Sequence, residues 1–200
     1  RNTIIFISVR YQLHIPKRAL CCNTPMLSHW NKILTTDCIV IKIGQHTVYP
    51  IFRVGHTSLM ASADEQYTNK QISRCKHINI LIRDPGDRFV SGLRKYSRKN
   101  DLDVNETWKL VEQGKLIDRH FVPQYMWLLH LHKFYNDYVT LRPFPYINEF
   151  TNTHVKKDKK EKIAVEPINK FVDVDHKLMQ HYHKQIKLGE LITRYKNVLS

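Results

Sequence analysis

The stretch HINILIRDPGDRFVSGLRKY, residues 77–96, decides how this chain is read. Ile78, Ile80, Leu81 and Ile82 form an apolar run of strand length. Asp84-Pro85-Gly86 stops it, because Pro fixes φ and Gly tolerates positive φ. Asp87 is placed to cap a following helix by accepting from unpaired backbone N–H groups. Phe89, Val90, Leu93 and Tyr96 recur at helical spacing and give that helix a buried face. The pattern predicts a buried strand, a sharp turn and an amphipathic helix. Two polar residues stand at places where function is expected. Arg83 ends the strand, and Ser91 lies one turn into the helix. In an open α/β sheet, ligands bind outside the carboxyl ends of the strands. A guanidinium fork and a hydroxyl together suit a phosphate.

A second segment of the same form lies upstream, in YPIFRVGHTSLMASADEQY, residues 49–67. The β-branched run Thr36–Ile43 predicts a strand, Gly44-Gln45-His46 a turn, and Thr47–Val54 a second strand, the two forming a hairpin or the first standing as an edge strand. A helix is expected from Leu59. Between strand and helix stand Arg53, Gly55, His56, Thr57 and Ser58. Backbone N–H groups at such a junction, with the helix dipole behind them, favour an anion. Gly55 permits close backbone approach, Thr57 and Ser58 add hydroxyls, and Arg53 adds a fixed charge. GxxxxGK[ST] is absent, so this is not a Walker A loop. An ordinary strand-to-helix turn is the plainer alternative for the segment taken alone.

Taken together, the two segments resemble the nucleotide-binding segments of sulfotransferases that use 3′-phosphoadenosine 5′-phosphosulfate, closest to the carbohydrate (Golgi-type) branch. Arg53-Val54-Gly55-His56-Thr57-Ser58 is similar to the family's K-x-G-x-T-S loop, with Arg53 where the family usually has Lys. Arg83-Asp84-Pro85-Gly86-Asp87-Arg88-Phe89-Val90-Ser91-Gly92-Leu93-Arg94 resembles its R-D-P-x-x-R-x-x-S-x-x-R segment. The resemblance implies that the first loop cradles the 5′-phosphosulfate and that Arg83 and Ser91 hold the 3′-phosphate. It also implies an α/β, P-loop-like, three-layer fold with a central, mainly parallel sheet flanked by helices.

Further along, Asp118, His120, Pro123 and Gln124 resemble the D-x-H-x-x-P-Q segment of many carbohydrate sulfotransferases. Sulfuryl transfer to an alcohol needs a base near the attacking hydroxyl, and histidine titrates in the right range. His120, oriented by Asp118, is one candidate and His56 is the other. A structural or substrate-binding role for His120 is the alternative. Helices are expected over Asn105–Gln113, ended by Gly114, and over Gln124–Tyr135, an apolar helix read as core. A strand is expected over Tyr138–Leu141, broken by Arg142-Pro143-Phe144-Pro145, then a short strand or helix start at Ile147–Phe150. The run 156–162 reads as an exposed basic loop or as a flap over the nucleotide. Asp173–Tyr195 reads as a final helix or helix pair, with Tyr182 partly matching the family's terminal helix.

Composition sets wider bounds. Two hundred residues allow one domain, 1–200, with a sizeable core. The formal charge of +14, from 32 Lys and Arg against 18 Asp and Glu, favours an anionic partner or a solvated basic surface. Cys21, Cys22, Cys38 and Cys75 make no metal pattern, and neither His130-x-His132 nor His181-x-His183 is a metal pair, so no metal is expected. Residues 1–34 are read loosely, as a strand over Thr3–Leu13 and a short helix over Pro25–Leu34. No apolar run reaches transmembrane length, so no stable membrane insertion is expected. Arg1 in place of Met leaves room for a targeting segment removed upstream. A cytoplasmic bacterial or viral relative is one setting, and the Golgi lumen, with an anchor removed, is the other.

The function expected is transfer of a sulfuryl group from 3′-phosphoadenosine 5′-phosphosulfate to a hydroxyl of a carbohydrate or other acceptor, acidic ones included, leaving adenosine 3′,5′-bisphosphate. The site residues expected are His120 and Arg53 for catalysis, with Arg53, Gly55, His56, Thr57, Ser58, Arg83 and Ser91 for the donor. The alternative is a non-catalytic basic protein that binds nucleic acid or a polyanionic glycan. Nucleic acid is disfavoured, because no nucleic-acid motif is present and the aromatics lie on apolar runs. A nucleotide kinase is disfavoured by the missing Walker residues.

Overall fold

The computed structural model describes residues 33–34, 38–151 and 170–196. The strand expected over Thr3–Leu13, the helix expected over Pro25–Leu34 (apart from Ile33 and Leu34), Cys21, Cys22 and the charge run 156–162 lie outside them. In chain order the elements are β1 (Val40–Ile43), β2 (His46–Tyr49), α1 (His56–Ala61), β3 (Glu65–Tyr67), α2 (Asn69–Ile72), β4 (His77–Ile82), α3 (Pro85–Asn100) and α4 (Val104–Glu112). There follow α5 (Gln124–His132), β5 (Tyr138–Pro143), a 3-10 turn (Phe144–Tyr146), α6 (Ile147–Phe150), α7 (Lys170–Leu178), a 3-10 turn (Met179–His181), β6 (Gln185–Lys187) and α8 (Leu188–Lys196).

The strands form one six-stranded sheet of order β3-β1-β2-β4-β5-β6. Its centre is parallel: β2 pairs with β4, and β4 with β5. The pairings β1–β2, β1–β3 and β5–β6 are antiparallel. The fold is therefore α/β with a mixed sheet flanked by helices, and the expectation of a mainly parallel sheet holds only for the middle. Hairpins and short edge strands account for the difference, since antiparallel neighbours need no crossover. Strand β4 reads HINILI, and Ile78 to Ile82 are all buried. A strand covered on both faces needs such a nearly continuous apolar run, and its one buried polar residue, Asn79, donates to Thr47 O at 3.4 Å. Each fully buried Ile or Leu contributes about 1.5–3 kcal/mol relative to exposure.

Several local expectations are corrected. Strand β2 ends at Tyr49 rather than Val54. Pro50 lacks an N–H for a ladder, and Val54 N instead donates to Ile51 O at 3.1 Å, closing a turn. Helix α1 begins at His56, three residues before Leu59. The N-cap of α3 is Asp84, not Asp87: the Asp84 carboxylate accepts from Asp87 N at 2.8 Å, and Pro85 occupies the first turn. Strand β5 runs through Arg142 to Pro143, whose register partners are Leu81 and Ile82. Ile147–Phe150 is a helix. The expected helix or helix pair over Asp173–Tyr195 is interrupted by β6, and Tyr182 follows a 3-10 turn instead of sitting in a helix. Gly114 does end α4: with φ +66, it lets Lys115 N reach Leu110 O at 2.9 Å and Gly114 N reach Val111 O at 3.0 Å.

Candidate functional site

The parallel pairing of β2 with β4 places the carboxyl ends of both strands at one end of the sheet. The loop after β2 and the turn into α3 therefore become neighbours, although 38 residues separate them. The guanidinium Nη2 of Arg53 donates to the hydroxyl of Ser91. From the same helix, Arg88 Nε donates to the carbonyl of Phe52 at 3.0 Å. Two side chains thus couple α3 to the loop, one in each direction.

The loop itself is held in an unusual shape. Arg53 has φ 66 and Gly55 φ 74, both left-handed. For Arg53 that conformation costs about 1–2 kcal/mol, so its surroundings must hold it there. Such strain concentrates at functional sites. A Cβ at Gly55 would lie 2.0 Å from Ile147 Cδ1, so the tip of that side chain would have to move, and φ +74 itself favours glycine. The close approach foreseen at Gly55 is met in part by protein. Helix α1 has only six residues, and Gly55 gives it no side-chain cap. Thr57 is exposed and Ser58 half-buried at its first turn, where backbone N–H groups have no intrahelical acceptor.

Phe52 connects the parts. Its ring lies 4.2 Å from that of His56, 5.8 Å edge-on from that of His120, and 5.6 Å from Trp127, nearly parallel to it. Arg119 sits over the Phe52 ring at 4.5 Å. His56 is held below its ordinary pKa, first by burial and then by the charge of Arg119. A cavity of about 240 Å³ adjoins these groups, walled by Tyr49, Phe52, His56, Asp118, Arg119 and Trp127.

His120 stands between Phe52 and α3. Its carbonyl oxygen lies 2.7 Å from where a Cβ of Gly92 would be, so only glycine at 92 lets the segment approach α3 this closely. Asp118 Oδ1 accepts from both Nδ1, at 2.5 Å, and the backbone N–H, at 2.8 Å, of His120. Burial alone would raise the Asp118 carboxyl, but the His120 bonds outweigh it and hold it below the usual carboxylate range. An ionised carboxylate only accepts, so Nδ1 carries a proton, and in the neutral ring Nε2 is then the nitrogen with the lone pair. That is the tautomer a general base needs.

Arg83 stands immediately after β4, with its guanidinium 5.1 Å from the centre of the Phe144 ring. Arg88, not among the site residues expected from the sequence, is 3% exposed and lies electrostatically close to Arg53 and Arg83. Burial pulls its pKa to about 10, with Asp175 opposing and the two other arginines assisting, so it stays charged at neutral pH. Among the described residues Arg88 Nη2 has no hydrogen-bond partner. The segments thus bring Arg53, Arg83, Arg88, Ser91 and the Asp118–His120 pair to one end of the sheet. Tyr182, from the far end of the chain, donates to Ile82 O at 3.2 Å and reaches the same strand end. Asp175 and Gly92 carry no local sequence signal; Gln124 was visible only within the D-x-H-x-x-P-Q pattern.

Elsewhere the chemistry is plain. Cys38 and Cys75 are free thiols, and burial pushes Cys38 up to about 12, which makes it unreactive. Among the described residues no helix is long and apolar enough to cross a membrane. Compared with protein-family models, with curated proteins and with solved structures, the chain matches none significantly.

Proposed function

We propose that this chain is a sulfotransferase of P-loop-like, three-layer fold. It would move a sulfuryl group from 3′-phosphoadenosine 5′-phosphosulfate to a hydroxyl of a carbohydrate. The observation that carries this reading is the Arg53–Ser91 bond, which joins the two segments that resemble donor-binding segments. The donor supplies a sulfuryl group already activated on its 5′-phosphate. Arg83 and Ser91 hold the 3′-phosphate: the Ser91 oxygen accepts from Arg53 and keeps its own proton to donate to a phosphate oxygen. The loop from Gly55 to Ser58 offers backbone N–H groups and hydroxyls to the 5′-phosphosulfate. His120 Nε2 takes the proton of the acceptor hydroxyl as its oxygen attacks sulfur, and Asp118 stabilises the imidazolium that forms. The bond from sulfur to the phosphate oxygen breaks, and Arg53 balances the charge gathering there. Adenosine 3′,5′-bisphosphate leaves.

Arg in place of Lys at position 53 keeps the charge and adds a fork that serves both Ser91 and an anion. The aromatic-walled cavity of about 240 Å³ beside Phe52 is of a size for one sugar ring, and Arg119 on its wall suits an acidic one. The test is transfer of radiolabelled sulfate from the donor to a panel of carbohydrate and phenolic hydroxyls. Label should appear on an acceptor with the unmodified protein and not with His120→Ala. Label appearing equally with both would remove His120 from the reaction.

A further inference from the structure

Arg83 is gripped through its backbone by a side chain from another element. Gln124 Nε2 donates to Arg83 O at 2.8 Å, and Arg83 N donates to Gln124 Oε1 at 2.9 Å. One side-chain amide satisfies both backbone groups just past the end of β4. Gln124 is fully buried and opens α5. The short segment that carries Asp118 and His120 ends on it.

What fixes Gln124 comes from α7. Asp175 Oδ2 accepts from Gln124 N and Oδ1 from Tyr125 N, each at 2.8 Å. Asp175 is 2% exposed, and Arg88 on α3 faces it electrostatically. A buried carboxylate is costly unless it is hydrogen-bonded and charge-balanced. Here it occupies the N-terminus of α5, where N–H groups and the helix dipole both favour it. Pro123, the preceding residue, supplies no side-chain cap, so the first turn of α5 takes its cap from Asp175.

The geometry points to Asp175 as a positioning residue for the phosphate grip. Its carboxylate sets the first turn of α5, Gln124 passes that setting to the backbone of Arg83, and the Arg83 guanidinium is thereby aimed at the 3′-phosphate. This rests on the sulfotransferase reading, in which Arg83 meets that phosphate. The same device ties the 3′-phosphate grip to the segment bearing His120.

The test compares two nucleotides by isothermal titration calorimetry with the full chain. Adenosine 3′,5′-bisphosphate carries the 3′-phosphate and adenosine 5′-monophosphate lacks it. Asp175→Asn keeps the shape but turns an NH2 group towards an N–H donor. It should cut the preference for the bisphosphate about tenfold or more while monophosphate affinity stays within about twofold. General loosening of the fold lowers both affinities alike, so the ratio isolates positioning. Gln124→Glu keeps the two backbone N–H bonds to Asp175 but loses the side-chain NH2 that serves Arg83 O and also faces Asp175, and it should lower the same ratio. It decides the matter if Asp175→Asn does not fold. Preference retained in the folded variants overturns the role of Asp175 and leaves the donor reading standing. No preference in the unmodified protein overturns the donor reading and this inference with it.

Discussion

The guanidinium of Arg53 donates to the hydroxyl of Ser91, across the 38 residues that separate the two phosphate-type segments. Neither segment is specific to one ligand alone, since strand–turn–helix junctions with a Gly or an Arg are common. Joined side by side on parallel strands, they would, on the sulfotransferase reading, offer charge at two points of one nucleotide. That pairing makes the first prediction. Ser91→Ala and Arg53→Ala should each weaken binding of adenosine 3′,5′-bisphosphate. In a double-mutant cycle the two should couple by about 1–2 kcal/mol, because one partner loses its function when the other is gone. Strict additivity, measured by titration calorimetry, would show that the bond plays no part in binding.

Gly92 separates binding from chemistry. A methyl group there meets His120 O at 2.7 Å, so Gly92→Ala must push the His120 segment away from α3. A shift near 1 Å at a reacting group costs about 100-fold in rate. Gly92→Ala should therefore lower kcat by about that factor while affinity for the bisphosphate stays within about threefold. An unchanged kcat would mean that the base is not His120.

The Asp118–His120 pair predicts its own pattern. Asp118→Asn keeps the size but can turn its NH2 towards Nδ1 and reverse the tautomer. His120→Ala should cost about 10²–10⁴ in kcat, the usual worth of a general base. Asp118→Asn should lower kcat in the same direction without changing nucleotide affinity. Loss of nucleotide affinity instead of kcat in either variant would assign the pair to binding.

Fold stability should respond to three histidines. His56, His77 and His181 are all held below the ordinary 6.5, in each case chiefly by burial. The unfolded chain takes up protons near 6.5 that the folded chain refuses, so stability is lost as pH falls through that value. Thermal melts from about pH 7.5 to about pH 6 should therefore show a falling Tm. Replacing all three by Asn should flatten that slope, whatever it does to the absolute Tm. Asp175, pushed up to about 6 by burial, works in the opposite sense at the lower end of this window, so the comparison with the triple variant, in which Asp175 is unchanged, isolates the histidines. A slope unchanged by the replacement would contradict the burial argument.

The core of the fold was legible because its signals are local. The β4–α3 unit follows from an apolar run, a Pro-Gly turn and a recurring apolar face; the strand's bounds are legible to about one residue, while the helix, Pro85–Asn100, starts before Asp87 and runs past Tyr96. The cap was misassigned to Asp87 because Asp84 and Asp87 both flank the start, and only backbone geometry chooses between them. The edge strands Glu65–Tyr67 and Gln185–Lys187 were missed, being short, polar and mostly exposed. Their pairing turned an expected mainly parallel sheet into a mixed one. Arg53, Arg83, Ser91 and His120 could be singled out as candidates because phosphate and proton chemistry restrict residue type. Arg88 was visible in the motif but not its bond to Phe52 O, and Asp175 not at all. Both act through contacts between distant segments, which spacing does not encode.

The most direct test of the central claim is titration of adenosine 3′,5′-bisphosphate into the unmodified protein and into Arg83→Ala, with adenosine 5′-monophosphate as comparison. The account predicts binding to the unmodified protein that is tighter for the bisphosphate, and a loss of about tenfold or more in Arg83→Ala that is confined to the bisphosphate. No binding to the unmodified protein, or equal affinity for both nucleotides, would contradict it.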